Sequence, residues 1–229
     1  MRGDNKRIVI TGAFGTLGAA VAQAALAAGA KVAAIDRADA PPAGVDLGAA
    51  QRFGGIDLAD AAQAKTVIDA AAASLGGLDA LVNIAGAFRW ETVADGKPET
   101  WDLLYRINLR TAVVASQAAL AHLHAGSRIV NIGANSAIKA GAGVGAYTAA
   151  KSGVMRFTES LAEELKERDI TVNALLPSII DTPPNRKDMP KADFDKWVKP
   201  QQLADVILFL LSDQASAITG ALIPVVGRV

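Results

Sequence analysis

Short apolar runs that stop at glycine alternate with alanine-rich helical patterns along this chain. RIVIT (Arg7 to Thr11) is such a run, closed by Gly12, and Thr16 to Ala28 is an Ala/Leu-rich helical pattern closed by Gly29. A short run that is apolar throughout is what a parallel strand buried on both faces requires. KVAAID (Lys31 to Asp36) repeats the strand; a loop with two prolines, the segment FGGID and a helix from about Ala59 to Leu75 follow. LDALVNIAG gives a strand ending near Asn83, and a long helical pattern covers Glu99 to about His124. The strand SRIVNIG, a helix from about Tyr147 to Glu167 and the strand ITVNALLP come next. Ser178 to Lys199, rich in proline and charge, is expected to be an irregular excursion; a helix (Gln201 to Leu211) and the strand ALIPVV end the chain. Strands alternating with helices predict an α/β fold with a doubly wound parallel sheet.

Length and composition agree with one domain over residues 1–229, since the 229 residues are 51% hydrophobic and leave little room for a second core. Lys+Arg and Asp+Glu both number 23, and no basic run marks a nucleic-acid or anionic-membrane footprint. With no cysteine, thiolate metal sites, disulfides and cysteine nucleophiles are excluded. No apolar stretch reaches the roughly 20 residues of a spanning helix. The opening MRGDNKR has no signal-peptide core, so a cytoplasmic location is expected. His122 and His124 lack metal-ligand partners in the sequence and are expected to face solvent near a helix end, so no metal is expected.

In ITGAFGTLG, Gly12, Gly15 and Gly18 stand directly between the first strand and the first helix. A glycine turn there lets backbone N–H groups and a helix N-terminus approach a pyrophosphate, the arrangement of a Rossmann-type sheet. Asp36 ends the next strand, where an acidic side chain accepts ribose hydroxyls. Its charge repels a 2′-phosphate and favours NAD; Arg37, next in line, leaves NADP open.

Tyr147 and Lys151, in YTAAK, are four apart and share a helix face. A phenol titrates at about pH 10, and a neighbouring cation is expected to lower that value and make it a usable general acid or base.

With TGAFGTLG, NIAG, a helix asparagine and YTAAK in order, the chain resembles the short-chain dehydrogenase/reductase family over essentially its whole length. The resemblance implies direct hydride transfer, with Lys151 also holding the nicotinamide ribose. It implies that Asn108 bends its helix and holds a relay water. It sets Asn83, Ala85 and Gly86 beneath the adenine-ribose side, and Asp57, with Leu58 beside it, at the adenine amino group. Phe14, Thr16 and Leu17 belong to the pyrophosphate turn, and Pro177, Ile179 and Thr182 to the nicotinamide end, where the threonine meets the carboxamide. It also implies a small-molecule substrate and a homodimer or homotetramer, in which the face carrying Glu159, Glu163 and Glu164 is a candidate interface.

DTPPNRKDMPKADFDKW and the ending TGALIPVV are similar to the quinonoid dihydropteridine reductase branch, which marks 178–199 as a substrate lid anchored by Trp197. The wider family's serine falls on Ala134, as it does in that branch, and Ser136 is the candidate to replace it. Phe88, Arg89 and Trp90 either line the substrate pocket or pack their own loop. Three functions stay open: a dihydropteridine-type reductase, a carbonyl reductase or alcohol dehydrogenase (including the 3-oxoacyl reductase type), and a cofactor-binding regulator without turnover.

Overall fold

The computed structural model describes residues 5–229; Met1 to Asp4, part of the expectation about targeting, lie outside the described residues. Strands β1 (Arg7–Thr11), β2 (Lys31–Ile35), β3 (Gln51–Phe53), β4 (Ala80–Asn83), β5 (Arg128–Ile132), β6 (Thr171–Pro177) and β7 (Leu222–Val225) form one sheet. Its order is β3-β2-β1-β4-β5-β6-β7, with every neighbouring pair parallel. The chain therefore reverses its winding between β1 and β4, and the crevice opens outside the strand ends there.

Helices α1 (Thr16–Ala27) and α7 (Pro200–Leu211) cover one face. The other carries α2 (Ala61–Leu75), α4 (Thr111–Ala119) and α5 (Gly145–Leu165). Successive strand residues feed the two cores in turn: Ile8 and Ile10 pack toward α1 and α7, while Val9 packs toward α2 and α4. Alanines on α1, among them Ala22 and Ala25, are fully buried and let the helix lie close to the sheet. The start of α2 is fixed by Asp60, whose carboxylate accepts the Ala62 and Gln63 N–H groups, and its end by Gly76 at φ +80°.

Two expectations change, and the third strand, QRF, ends on the phenylalanine that opens FGGID. The pattern expected as one helix over 99–124 divides into α3 (Pro98–Leu104), a π-helical turn (Tyr105–Arg110) and α4, because an asparagine captures backbone groups midway. The segment 178–199 is not irregular: it holds α6 (Pro183–Asp188), a 3-10 turn and a parallel bridge between Ile180 and Val198. Asp181 binds both Arg186 and Lys199 there, which holds its carboxyl far below the usual range. Trp197 is buried, with its ring 4.8 Å from Phe194.

His124 is exposed, as expected, whereas His122 is half-buried, and both meet carboxylates. His122 Nε2 lies 2.7 Å from Asp69, and His124 Nε2 lies 3.0 Å from Asp79, which Arg7 also holds. Among the described residues no helix is long and apolar enough to cross a membrane.

A polar ladder crosses the middle of the sheet. Asn83 Nδ2 donates to Asn131 Oδ1 at 2.9 Å and to Ser116 Oγ at 3.0 Å, and Asn131 Nδ2 donates to Thr158 Oγ1 at 2.9 Å. All four residues are buried, so each bond lost leaves a desolvated group unpaired. Asn131→Ala is expected to cost about 2 kcal/mol or more in urea unfolding; an unchanged midpoint would show that the ladder contributes nothing.

Candidate active site

The turn between β1 and α1 is shaped partly by the chain and partly by something the chain does not explain. Gly12 has φ +65°, and a Cβ on it would sit 2.7 Å from the Ala85 nitrogen, so packing alone demands glycine. Gly15 has an ordinary φ of −78°, and the nearest atom to a Cβ there would be the Gly12 oxygen at 3.5 Å. Nothing within the protein forbids a side chain at Gly15; it would intrude into a cavity of about 480 Å³. No side chain caps α1, and its first turn carries no acidic residue. Its leading N–H groups are therefore available to an anion, as a dinucleotide's pyrophosphate requires.

Gly12, Phe14, Gly15, Leu17, Gly18, Asp36, Arg37, Asp57, Leu58, Ala85 and Gly86 all line this cavity. Thr16 does not line it and points outward. The Asp36 carboxylate accepts the Phe14 N–H at 2.9 Å and the Ala38 N–H at 3.1 Å, tying the end of β2 to the glycine turn. Thr11 Oγ1 accepts the Ile84 and Ala85 N–H groups and so holds the NIAG loop against the same turn. Asn83 belongs to the sheet ladder and not to the cavity wall.

A second cavity of about 210 Å³ adjoins the first, with Leu17, Ile84, Gly86 and Ala87 lining both. Tyr147 and Lys151 enter it from the first turns of α5, beside Asn108, Phe88, Pro177 and Ser178. Lys151 is 5% exposed, and its Nζ donates to the Ile132 carbonyl at 2.7 Å and lies 6.0 Å from the centre of the Tyr147 ring. Burial pushes the Tyr147 phenol up to about 12 and the Lys151 ammonium down to about 8. The expected lowering of the phenol by the lysine is thus not found: desolvation, which disfavours the charged form of both, dominates.

Asn108 sits in the π-helical turn, and its amide reads the backbone of Ala87 twice. Oδ1 accepts the Ala87 N–H at 3.1 Å, while Nδ2 donates to the carbonyls of Ala87 and Leu104, each at 3.0 Å. Gly86 must lie close to this amide, since a Cβ on it would sit 2.5 Å from Asn108 Oδ1 and 3.5 Å from Lys151 Nζ. The expected bend at Asn108 is present as the π turn.

Other expected residues are placed elsewhere. Ser136 lies exposed on the 3-10 turn Asn135–Ala137, just past β5, and lines neither cavity. Ala134 is buried at 4% exposure. Thr182 and Ile179 also line neither cavity: the Thr182 hydroxyl caps α6 by accepting the Asn185 N–H at 3.3 Å, and the Ile179 carbonyl accepts the Val198 N–H. Phe88 lines the second cavity, whereas Trp90 packs over Gly143, where a Cβ would collide with the indole, and Arg89 reaches Thr100. Phe88 meets Tyr147 edge to face, with ring centres 5.0 Å apart and planes at 79°. Arg106 was not anticipated: it lines the large cavity and pairs with Asp57, delivered there by the π turn.

The model of the short chain dehydrogenase family matches residues 6–193. The chain is 34% identical to the 2-(S)-hydroxypropyl-CoM dehydrogenase 3 of Xanthobacter autotrophicus, over 97% of this chain and 96% of that one. Among solved structures, a short chain dehydrogenase of Burkholderia cenocepacia in complex with NADP is 31% identical, with a TM-score of 0.86 over 99% of this chain and 98% of the other. A blue fluorescent protein from a metagenomic library, in complex with NADPH, is also 31% identical, with a TM-score of 0.90 over 100% and 99% of the two chains. Together with a glycine turn, a seven-stranded parallel sheet and a buried tyrosine–lysine pair, these matches make the chain an NAD(P)-dependent oxidoreductase of the short-chain dehydrogenase/reductase family.

Proposed function

We propose that the enzyme reduces a planar quinonoid or imine-like ring, of the dihydropterin kind, with NADH. The observation that carries the reading is the junction of the two cavities. Tyr147 and Lys151 are buried in a small pocket that shares a wall with the glycine-turn cavity, so a proton source stands beside the place a dinucleotide would end. The nicotinamide, when bound, supplies the hydride.

The chain's own part is to bind, orient and protonate. The uncapped start of α1 takes the pyrophosphate, and Asp36, held by two N–H groups, takes the ribose. Its negative charge supports NAD; Arg37 beside it, and the NADP and NADPH of the solved relatives, keep NADP as the alternative. Tyr147 stays protonated at neutral pH and donates its proton to a ring nitrogen or oxygen of the substrate. While Lys151 is charged it offsets the phenolate left behind. Asn108, by fixing Ala87 and crowding Gly86, holds the floor against which the substrate rests.

Two features support a ring with little oxyanion character. By the family register the serine position falls on Ala134, which is buried and lines neither cavity, so no hydroxyl there meets a carbonyl oxygen, a contact worth roughly 3 kcal/mol where it exists. Phe88 gives the pocket an aromatic wall at the phenol itself. The resemblance of 178–199 to the dihydropteridine reductase loop adds to them, with that segment as the lid. The second reading is a secondary alcohol or ketone, favoured by the hydroxypropyl-CoM dehydrogenase relative. A cytoplasmic location, expected from the sequence, and a homodimer or homotetramer, implied by the family resemblance, complete the proposal.

Turnover of quinonoid dihydropterin and of simple ketones, each with NADH and NADPH, separates the readings. The expected result is pterin reduction with NADH, reduced at least about 100-fold in Tyr147→Phe. Ketone turnover without pterin turnover would establish the second reading, and binding of NADH without turnover of any substrate would indicate a regulator.

The lysine sets a pH limit. Its ammonium is retained below about 8 and lost above it, so kcat/KM for reduction is expected to hold up to that pH and then decline. A profile that stays level to pH 10 would contradict the role given to the lysine charge.

A further inference from the structure

The large cavity is bridged at its adenosine end by an ion pair that neither the glycine turn nor the sheet requires. Asp57 is fixed from three sides: its N–H donates to Gln63 Oε1 at 3.1 Å, Oδ1 accepts the Ala59 N–H at 2.9 Å, and Oδ2 accepts Arg106 Nη2. The arginine side chain is 54% exposed while its Nη2 edge is held by the carboxylate. Both residues line the cavity, as do Leu58, Ile107 and Arg37. One turn further along, Arg110 Nε donates to the Ala59 carbonyl at 2.8 Å. Two arginines of the π-helical turn therefore grip the loop after β3, but only Arg106 stands in the cavity wall.

We propose that Arg106, oriented by Asp57, is a clasp over the adenosine half of the bound dinucleotide, laying its guanidinium plane on the purine. The inference rests on the dinucleotide reading above and extends it to this chain's own residues. A planar cation held edge-on by a carboxylate is preorganised for stacking on an aromatic face. Each Asp57 oxygen has one donor, the Ala59 N–H and Arg106 Nη2, so the carboxylate fixes the guanidinium edge and leaves its plane to meet the base. The Arg110 tie keeps the loop in place when Arg106 is changed, which lets the clasp be removed without unfolding the wall.

ADP-ribose, which lacks the nicotinamide, is the probe, and calorimetry of the full chain is the readout. Arg106→Met is expected to weaken binding about fivefold to tenfold, and Asp57→Asn by a similar factor. The double variant is expected to lose no more than either alone, as groups acting as one unit do. Arg106→Lys, which keeps the charge but not the plane, is expected to recover binding only in part. Unchanged affinity in Arg106→Met beside a binding wild type would overturn the clasp alone. A loss in Asp57→Asn that is absent in Arg106→Met would assign the contact to the carboxylate and overturn it as well. A wild type that does not bind ADP-ribose would overturn the dinucleotide reading and the clasp with it.

Discussion

The amide of Asn108 is the contact on which the site depends. By satisfying both backbone groups of Ala87 and the Leu104 carbonyl, it stabilises the π-helical turn between α3 and α4 and fixes the loop that follows β4. A regular α-helix leaves no carbonyl free at Leu104, so the side chain and the turn form together. Three consequences follow from this one residue. Gly86 is held close to the Asn108 amide, the two cavities acquire a common wall, and Arg106 is turned toward Asp57.

Burial sets the electrostatics around this framework. Neither the phenol nor the ammonium carries charge easily in the small pocket, because burial strips both of solvent. A phenol that stays protonated supports the proposed role of Tyr147 as proton donor, and the Ile132 carbonyl compensates the ammonium.

Much of this was legible in the sequence because strand runs, glycine positions and the Tyr–Lys spacing are local signals. Period and punctuation found the strands of the central sheet, and the glycine turn and Asp36 fell where the fold required them. What escaped was set by long-range contacts. The π turn needs Ala87 to be near Asn108, so the helix pattern alone read as unbroken. The capping of α6 by Thr182, the exposure of Ser136 and the Asp57–Arg106 bridge all depend on where distant segments pack. The direction of the phenol shift was misjudged for the same reason, since helical spacing reports a neighbouring cation but not burial.

The central claim is that an intact tyrosine–lysine pair works here without a hydroxyl at position 134. Ala134→Ser tests it most directly, with the ratio of kcat/KM for a ketone to that for quinonoid dihydropterin as the measurement. This ratio is expected to rise, because the new hydroxyl stabilises a developing oxyanion that the ring substrate does not form. A ratio that stays constant or falls in a folded, dinucleotide-binding variant would contradict it.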